Sequence, residues 1–101
     1  MSGLLGLIGL GYRAGRIIVG VDGVRRELQA GKCWCVVVAE DASPRAIDKV
    51  VRLASAKGVP ILAGPRAVAM GAQLGKPPVM AVGVRDRALA NGMVSLAPVR
   101  S

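Results

Sequence analysis

Apolar positions recur along the chain in two alternating periods, and that alternation sets out the elements. Leu4, Leu5, Leu7, Ile8 and Leu10 fall at helical spacing, and Tyr12-Arg13-Ala14-Gly15 supplies a last turn with a glycine stop. Gly6, Gly9 and Gly11 each cost such a helix roughly 1 kcal/mol relative to alanine, so they read as positions of close packing rather than as helix formers. Arg16-Ile17-Ile18-Val19 is a short β segment ending at Gly20. Val21, Val24 and Leu28 then line one side at i, i+3 and i+7, which predicts a helix from Asp22 to Ala30 closed by Gly31.

From Cys33 to Ala39 the apolar run is unbroken, as expected of an interior strand covered on both faces. Ser43 is suited to cap the next helix and Pro44 to occupy its first position. In that helix Ile47, Val50, Val51 and Ala54 face inward, Arg45, Asp48, Lys49 and Arg52 face outward, and Lys57-Gly58 ends it. Val59 to Leu62 is a second short strand, with Pro60 near its start, where a missing N–H is tolerated. Pro65 to Leu74 reads as a third helix of this kind, closed by Gly75-Lys76-Pro77-Pro78, and Val79 to Val84 as another apolar strand. Asp86 caps a short helical turn that should end at Asn91-Gly92, leaving Met93 to Val99 as a final short strand or coil. Helix and strand alternate throughout, with no internal repeat or linker. That pattern predicts one domain spanning residues 1–101, an α/β fold arranged as a three-layer α/β/α sandwich around a small sheet.

Charge narrows the partners. The chain carries 14 basic and six acidic residues, a formal charge of +8 and a pI of about 10.8, which favours phosphate-rich ligands, with anionic membranes as the competing sink. The apolar N-terminal stretch ends at Tyr12-Arg13, too short to span a bilayer and without the basic start of a signal peptide, so a cytoplasmic protein with no membrane partner is expected. Cys33 and Cys35, two apart on a strand, should share a face as buried apolar residues. That spacing suits neither a disulfide nor, without histidine, a zinc site, and it fits a reducing setting.

Catalytic constellations are missing from the pattern. Gly6-Leu7-Ile8-Gly9-Leu10-Gly11 has the wrong spacing, and the wrong position relative to a strand, for a dinucleotide loop. No phosphate-binding loop with its lysine and hydroxyl follows any glycine run. Glu40 and Asp41 stand at the end of the main strand, but adjacent side chains diverge and the chain has no histidine to share acid–base work. They are expected instead to serve structure: Asp41 or Ser43 as a helix cap, and Glu40 as a partner for nearby arginines. No enzyme activity, metal or cofactor is expected.

The basic residues have a more definite reading. Arg25 and Arg26 lie in the early turns of a helix, near amide N–H groups that can bind phosphate, whereas Lys32 falls at its far end. Arg66 stands at the start of a later helix, and Arg85 and Arg87 flank the turn after the last strong strand. If the turns after strands gather on one edge, Arg66, Arg85 and Arg87 adjoin Arg25 and Arg26. The alternative is a scattered, solvated set.

As a set, several motifs carry a resemblance: Arg13-Ala14-Gly15-Arg16, Gly20 through Gly31-Lys32, Val36-Val37-Val38-Ala39-Glu40-Asp41-Ala42-Ser43-Pro44, Lys57-Gly58-Val59-Pro60-Ile61, Met70-Gly71-Ala72-Gln73-Leu74-Gly75-Lys76, and Val79 to Val84. From Leu4 to about Asn91 the chain resembles the L7Ae/L30e/S12e/Gadd45-like RNA-binding proteins, especially their small bacterial ribosomal-protein-like members. The resemblance implies an L30e-like sandwich with a small mixed sheet. It also implies a ribonucleoprotein role in binding kink-turn or related RNA. In that family the helix after the first glycine begins Gly-Thr-Asn-Glu, with a lysine three residues after the glutamate. Those places fall on Gly20, Val21, Asp22, Gly23 and Arg26, so an acid replaces the amide, the glutamate is lost and the positive charge stays. The family's second contact region, which holds an extruded base, falls on Ser43, Ile47 and the loop Val84-Arg85-Asp86. The basic residue near its third helix start falls on Ala67, with Arg66 adjacent.

Two functions follow as expectations. The first is non-catalytic binding of structured RNA, a ribosomal RNA or a kinked stem, through Gly20, Val21, Asp22, Gly23, Arg25, Arg26, Ser43, Ile47, Arg66, Val84, Arg85 and Arg87. The second is a structural or protein-interaction module, ribosome-associated or oligomeric, with ribosomal or other protein partners and no specific RNA recognition. Exposed Leu4, Leu7 or Val68 would mark that second role.

Overall fold

The computed structural model describes residues 3–97. Five helices and four strands alternate: α1 Gly3–Arg13, β1 Ile17–Val19, α2 Val21–Gln29, β2 Cys35–Val38, α3 Pro44–Ala56, β3 Ile61–Ala63, α4 Ala67–Leu74, β4 Ala81–Val84 and α5 Arg87–Leu96. The sheet order is β1-β4-β2-β3, with β2 and β3 parallel and β4 antiparallel to both β1 and β2. This is the mixed-sheet α/β/α sandwich expected.

Adjacent residues of β1 show how the layers form. Ile17 meets Gly11 of α1, and Ile18 meets Gly23 of α2, so successive side chains carry the two helices on opposite faces. On the α2 side, α2 and α3 pack on each other; on the other, α1 packs against both α4 and α5. Between them Val36, Val37, Val82 and Val84 are fully buried, which accounts for the apolar runs of both central strands. Close packing also explains one of the α1 glycines. A Cβ at Gly11 would press on Leu89 of α5 at 2.5 Å and on the Ile17 Cγ1 at 2.8 Å, whereas at Gly9 it would meet the end of the exposed Gln73 side chain.

Three boundaries differ from the sequence reading. The central strand covers Cys35–Val38 rather than Cys33 to Ala39, because the chain bends at Trp34, whose N–H donates to the Val84 carbonyl at 2.8 Å. Pro65 and Arg66 form the extended approach to α4, which begins at Ala67. Most clearly, α5 runs through Asn91-Gly92 to Leu96, so Met93 starts no strand. Ala90 and Met93, three apart and both buried, continue one helical stripe, and that burial outweighs the roughly 1 kcal/mol cost of an internal glycine. The helix stops where Ala97 turns extended ahead of a proline in the sequence. Val99 lies outside the described residues.

Both cysteines are free and buried, although Cys33 sits before the strand and its thiol donates to the Cys35 carbonyl at 3.2 Å. Burial pushes both thiols up; Cys35, which also faces Cys33, is raised to about 12. A thiol raised on folding stays protonated in the native state after its unfolded counterpart has ionised. Its stabilising contribution is therefore complete below the ordinary thiol range and is lost as pH climbs from there toward about 12. Chemical denaturation across that range should show a wild-type stability falling by up to about 1.4 kcal/mol per pH unit more steeply than that of Cys35→Ala. Parallel slopes would contradict the account.

Candidate nucleic-acid interface

Strand direction divides the molecule into two edges. β1, β2 and β3 run the same way, so their carboxyl ends, together with the start of β4, form one edge. Backbone bonds stitch that edge: the Gly20 N–H donates to the Ala81 carbonyl at 2.9 Å, Ala39 to Met80 at 2.8 Å, Gly64 to Val38 at 2.8 Å and Glu40 to Pro65 at 3.1 Å. The carboxyl edge thus gathers the start of α2, the turn before α3, the approach to α4 and the residues leading into β4.

Gly20 has φ 96° and ψ 154°, a conformation open essentially to glycine alone, and no side chain caps the α2 N-terminus. The first amides of α2 are thus left without a side-chain cap, a feature suited to an anionic ligand. Asp22 and Arg26 are exposed. Arg26 lies one turn on, its guanidinium turned back so that one terminal nitrogen is 3.9 Å from where a Gly23 Cβ would stand. Gly23 itself is set by packing. A Cβ there would come within 2.8 Å of the Ile18 Cγ2, so a larger residue overpacks the helix start while isoleucine occupies position 18.

The neighbouring turns are tied together by an acid. Ser43 caps α3, accepting from the Ala46 N–H at 3.2 Å, while Asp41 reaches across to α4, accepting from the Ala67 N–H at 2.8 Å with its second oxygen 3.7 Å from Arg66. Asp41 is thus the cap of the following helix rather than its own, and it is Asp41, not Glu40, that meets an arginine. The result is a firm platform of mixed charge, on which exposed Arg26, Arg45 and Arg66 stand with Asp22, Glu40 and Asp41. Half-buried Ile47 follows one turn into α3.

Not all of the expected site residues meet here. Arg25, half-buried, lines a groove between α2 and α3 with Asp48, Lys49, Arg52 and Leu53. Arg85 and Arg87 do not adjoin Arg25 and Arg26. Because β4 runs antiparallel, it delivers Val84, Arg85, Asp86 and Arg87 to the opposite, amino edge, where the Arg85 N–H donates to the Arg16 carbonyl at 2.9 Å. Arg85 is further engaged by Glu27 at 2.8 Å. Val84 is fully buried, paired with Ile17 and Cys35, and offers no surface to a ligand. In its place the carboxyl edge holds Val79 and Met80. The loop doubles back along α4 until the Val79 N–H donates to the Ala67 carbonyl at 3.0 Å, beside Arg66. Sequence reasoning missed these two because it took the turn after every strand, rather than the direction of each strand, as the guide.

Among the described residues no group of three or more His, Cys, Asp or Glu could hold a metal ion, and the two thiols are raised rather than activated. No helix of the described residues is long and apolar enough to cross a membrane. Of the three markers for an interaction module, Leu4 is buried, Leu7 is half-buried and Val68 is exposed.

Comparison with known proteins gives the fold and the family. The chain is 32% identical over 98 residues to the RNA-binding protein YlxQ of Bacillus subtilis, an alignment covering 95% of this chain and 98% of that one. Its fold matches a Bacillus halodurans protein of unknown function with a TM-score of 0.89 at 23% identity, covering 95% of this chain and 97% of the other. It also matches a 15.5kD RNA binding protein of Giardia lamblia with a TM-score of 0.79 at 24% identity, covering 92% and 80%. The model of the ribosomal protein L7Ae/L30e/S12e/Gadd45 family matches residues 4–93, and the chain belongs to that family.

Proposed function

We propose that this protein binds structured RNA, without catalysis, through the carboxyl edge of its sheet: Gly20 to Gly23 and Arg26, Ser43 and Ile47, Arg66, and Met80. The observation that carries the reading is the uncapped start of α2 beside Arg26, within a chain of this family and similar along nearly its whole length to an RNA-binding protein. Uncapped amides and a guanidinium fork are suited to phosphates and guanine edges, and the half-buried apolar Ile47 and Met80 to an unstacked base. The finer ligand we propose is a kinked stem, as in ribosomal RNA, bound in the cytoplasm. With Gly23 in place of a carboxylate, recognition rests on phosphate and shape more than on paired contacts to base edges.

Affinity for kinked and straight RNA stems across a salt series tests this. The kinked stem should bind more tightly, and Arg26→Ala should weaken it about tenfold and lower the salt slope by about 1, whereas Arg52→Ala should leave both unchanged. Equal affinity for both stems would reduce the reading to general attraction, and no binding at low salt would end it.

A further inference from the structure

The amino edge carries the stronger positive field of the two. Arg13, Arg16, Lys32, Lys57, Arg85 and Arg87 fall on or near it, against Glu27 and Asp86, which pair with Arg85 and Arg16. Lys32, Lys57 and Arg87 have no ion pair among the described residues. Beside Lys57 and Arg87 lies a groove of about 460 Å³, walled by Leu28, Val59 and Pro60, with no carboxylate in its lining. At its mouth stands Trp34, 48% exposed, with the Arg87 guanidinium over the ring 5.5 Å from its centre.

We infer that this groove is a second RNA-binding site, which takes an unpaired nucleotide by stacking its base on Trp34 and holding its phosphates between Lys57 and Arg87. A large aromatic ring is costly to leave half in water, and packing against neighbours does not explain its exposure. An exposed ring flanked by cations is the arrangement that holds single-stranded nucleic acid, because every base has a π face and every phosphate a charge. A planar heterocycle matches the ring better than a peptide side chain does, and the unpaired cations match phosphate. The site is separated from the carboxyl edge by the length of the sheet strands, so one protein can hold a folded stem at one edge and a single strand at the other. This inference shares with the proposed function the premise that RNA is the ligand, but it uses none of the same residues.

Trp34 is the sole tryptophan of the chain, so its fluorescence reports the groove directly. Titrating the intact protein with a short oligo(A) RNA at about 50 mM salt should give saturable quenching that is relieved toward about 200 mM. The Lys57→Glu/Arg87→Glu double variant, altered at two exposed positions, should raise the apparent Kd at least about tenfold while leaving kinked-stem binding as in the wild type. Arg26→Ala should do the reverse. No quenching by oligo(A), quenching unaffected by the double variant, or quenching by a poly-glutamate peptide and not by RNA would each overturn the inference. A protein that quenches with oligo(A) yet ignores kinked stems would defeat the carboxyl-edge reading and leave this one standing.

Discussion

Gly71→Ala is expected to destabilise the protein by about 1–3 kcal/mol, even though alanine is the better helix former. Gly71 lies in α4 where the returning loop presses against it. A Cβ there would land on the Pro77 carbonyl and within 2.8 Å of the Lys76 carbonyl, and both obstacles are backbone, which cannot rotate aside. The loop would have to move, and with it Val79 and Met80 at the carboxyl edge of the sheet. Gly6→Ala is the matching control: it too is helical, but a Cβ there meets nothing within 4 Å. That substitution should stabilise α1 by up to about 1 kcal/mol. Urea denaturation of the two variants should therefore give shifts of opposite sign, and equal shifts would show that packing at Gly71 had been misjudged.

Much of this architecture is legible in the residues because local signals and burial agree. Ser43-Pro44 starts α3 where capping chemistry places it, Gly31, Gly58 and Gly75 end helices in the left-handed conformation expected of them, and the valine runs become buried strands. Where the signals conflicted, burial prevailed: Asn91-Gly92 looks like a stop, but Met93 completes a buried stripe and the helix continues. The resemblance implied a mixed sheet, but which strand runs against the others was not legible in the residues themselves. Nothing local to Val79–Val84 says that β4 runs against its neighbours, since that depends on the loop from Gly75 doubling back beside α4. The consequence for the site was large. Arg85 and Arg87 moved to the far edge, and Val79 and Met80 took their place near Arg66. Asp41 was legible as a cap but not as the cap of another helix, because that contact spans 26 residues of sequence.

The glycine at position 23 gives a second large effect, because it is coupled to a neighbour. Gly23→Glu alone would restore a carboxylate to the start of α2 but force its Cβ to within 2.8 Å of the Ile18 Cγ2, a branch fixed at the β-carbon of a strand residue. Overpacking of this kind costs about 1–3 kcal/mol, only partly offset by the up to about 1 kcal/mol that replacing a helical glycine contributes. Ile18→Ala alone removes partly buried apolar surface and should also destabilise. Together the two changes relieve each other, since the methyl in the way is gone. The double variant should then be more stable than the sum of the single effects predicts, with a coupling of about 0.5–3 kcal/mol. RNA binding gives the second readout. If the edge at α2 meets the sheared pairs of a kinked stem, a carboxylate beside Arg26 adds an acceptor for base amino groups and penalises bare phosphate. The Ile18→Ala/Gly23→Glu protein should therefore bind straight stems more weakly than the wild type does, while its preference for the kinked stem rises about tenfold. Additive stabilities would mean that Ile18 does not govern position 23. Restored packing with both stems weakened equally would mean that the α2 start senses only charge.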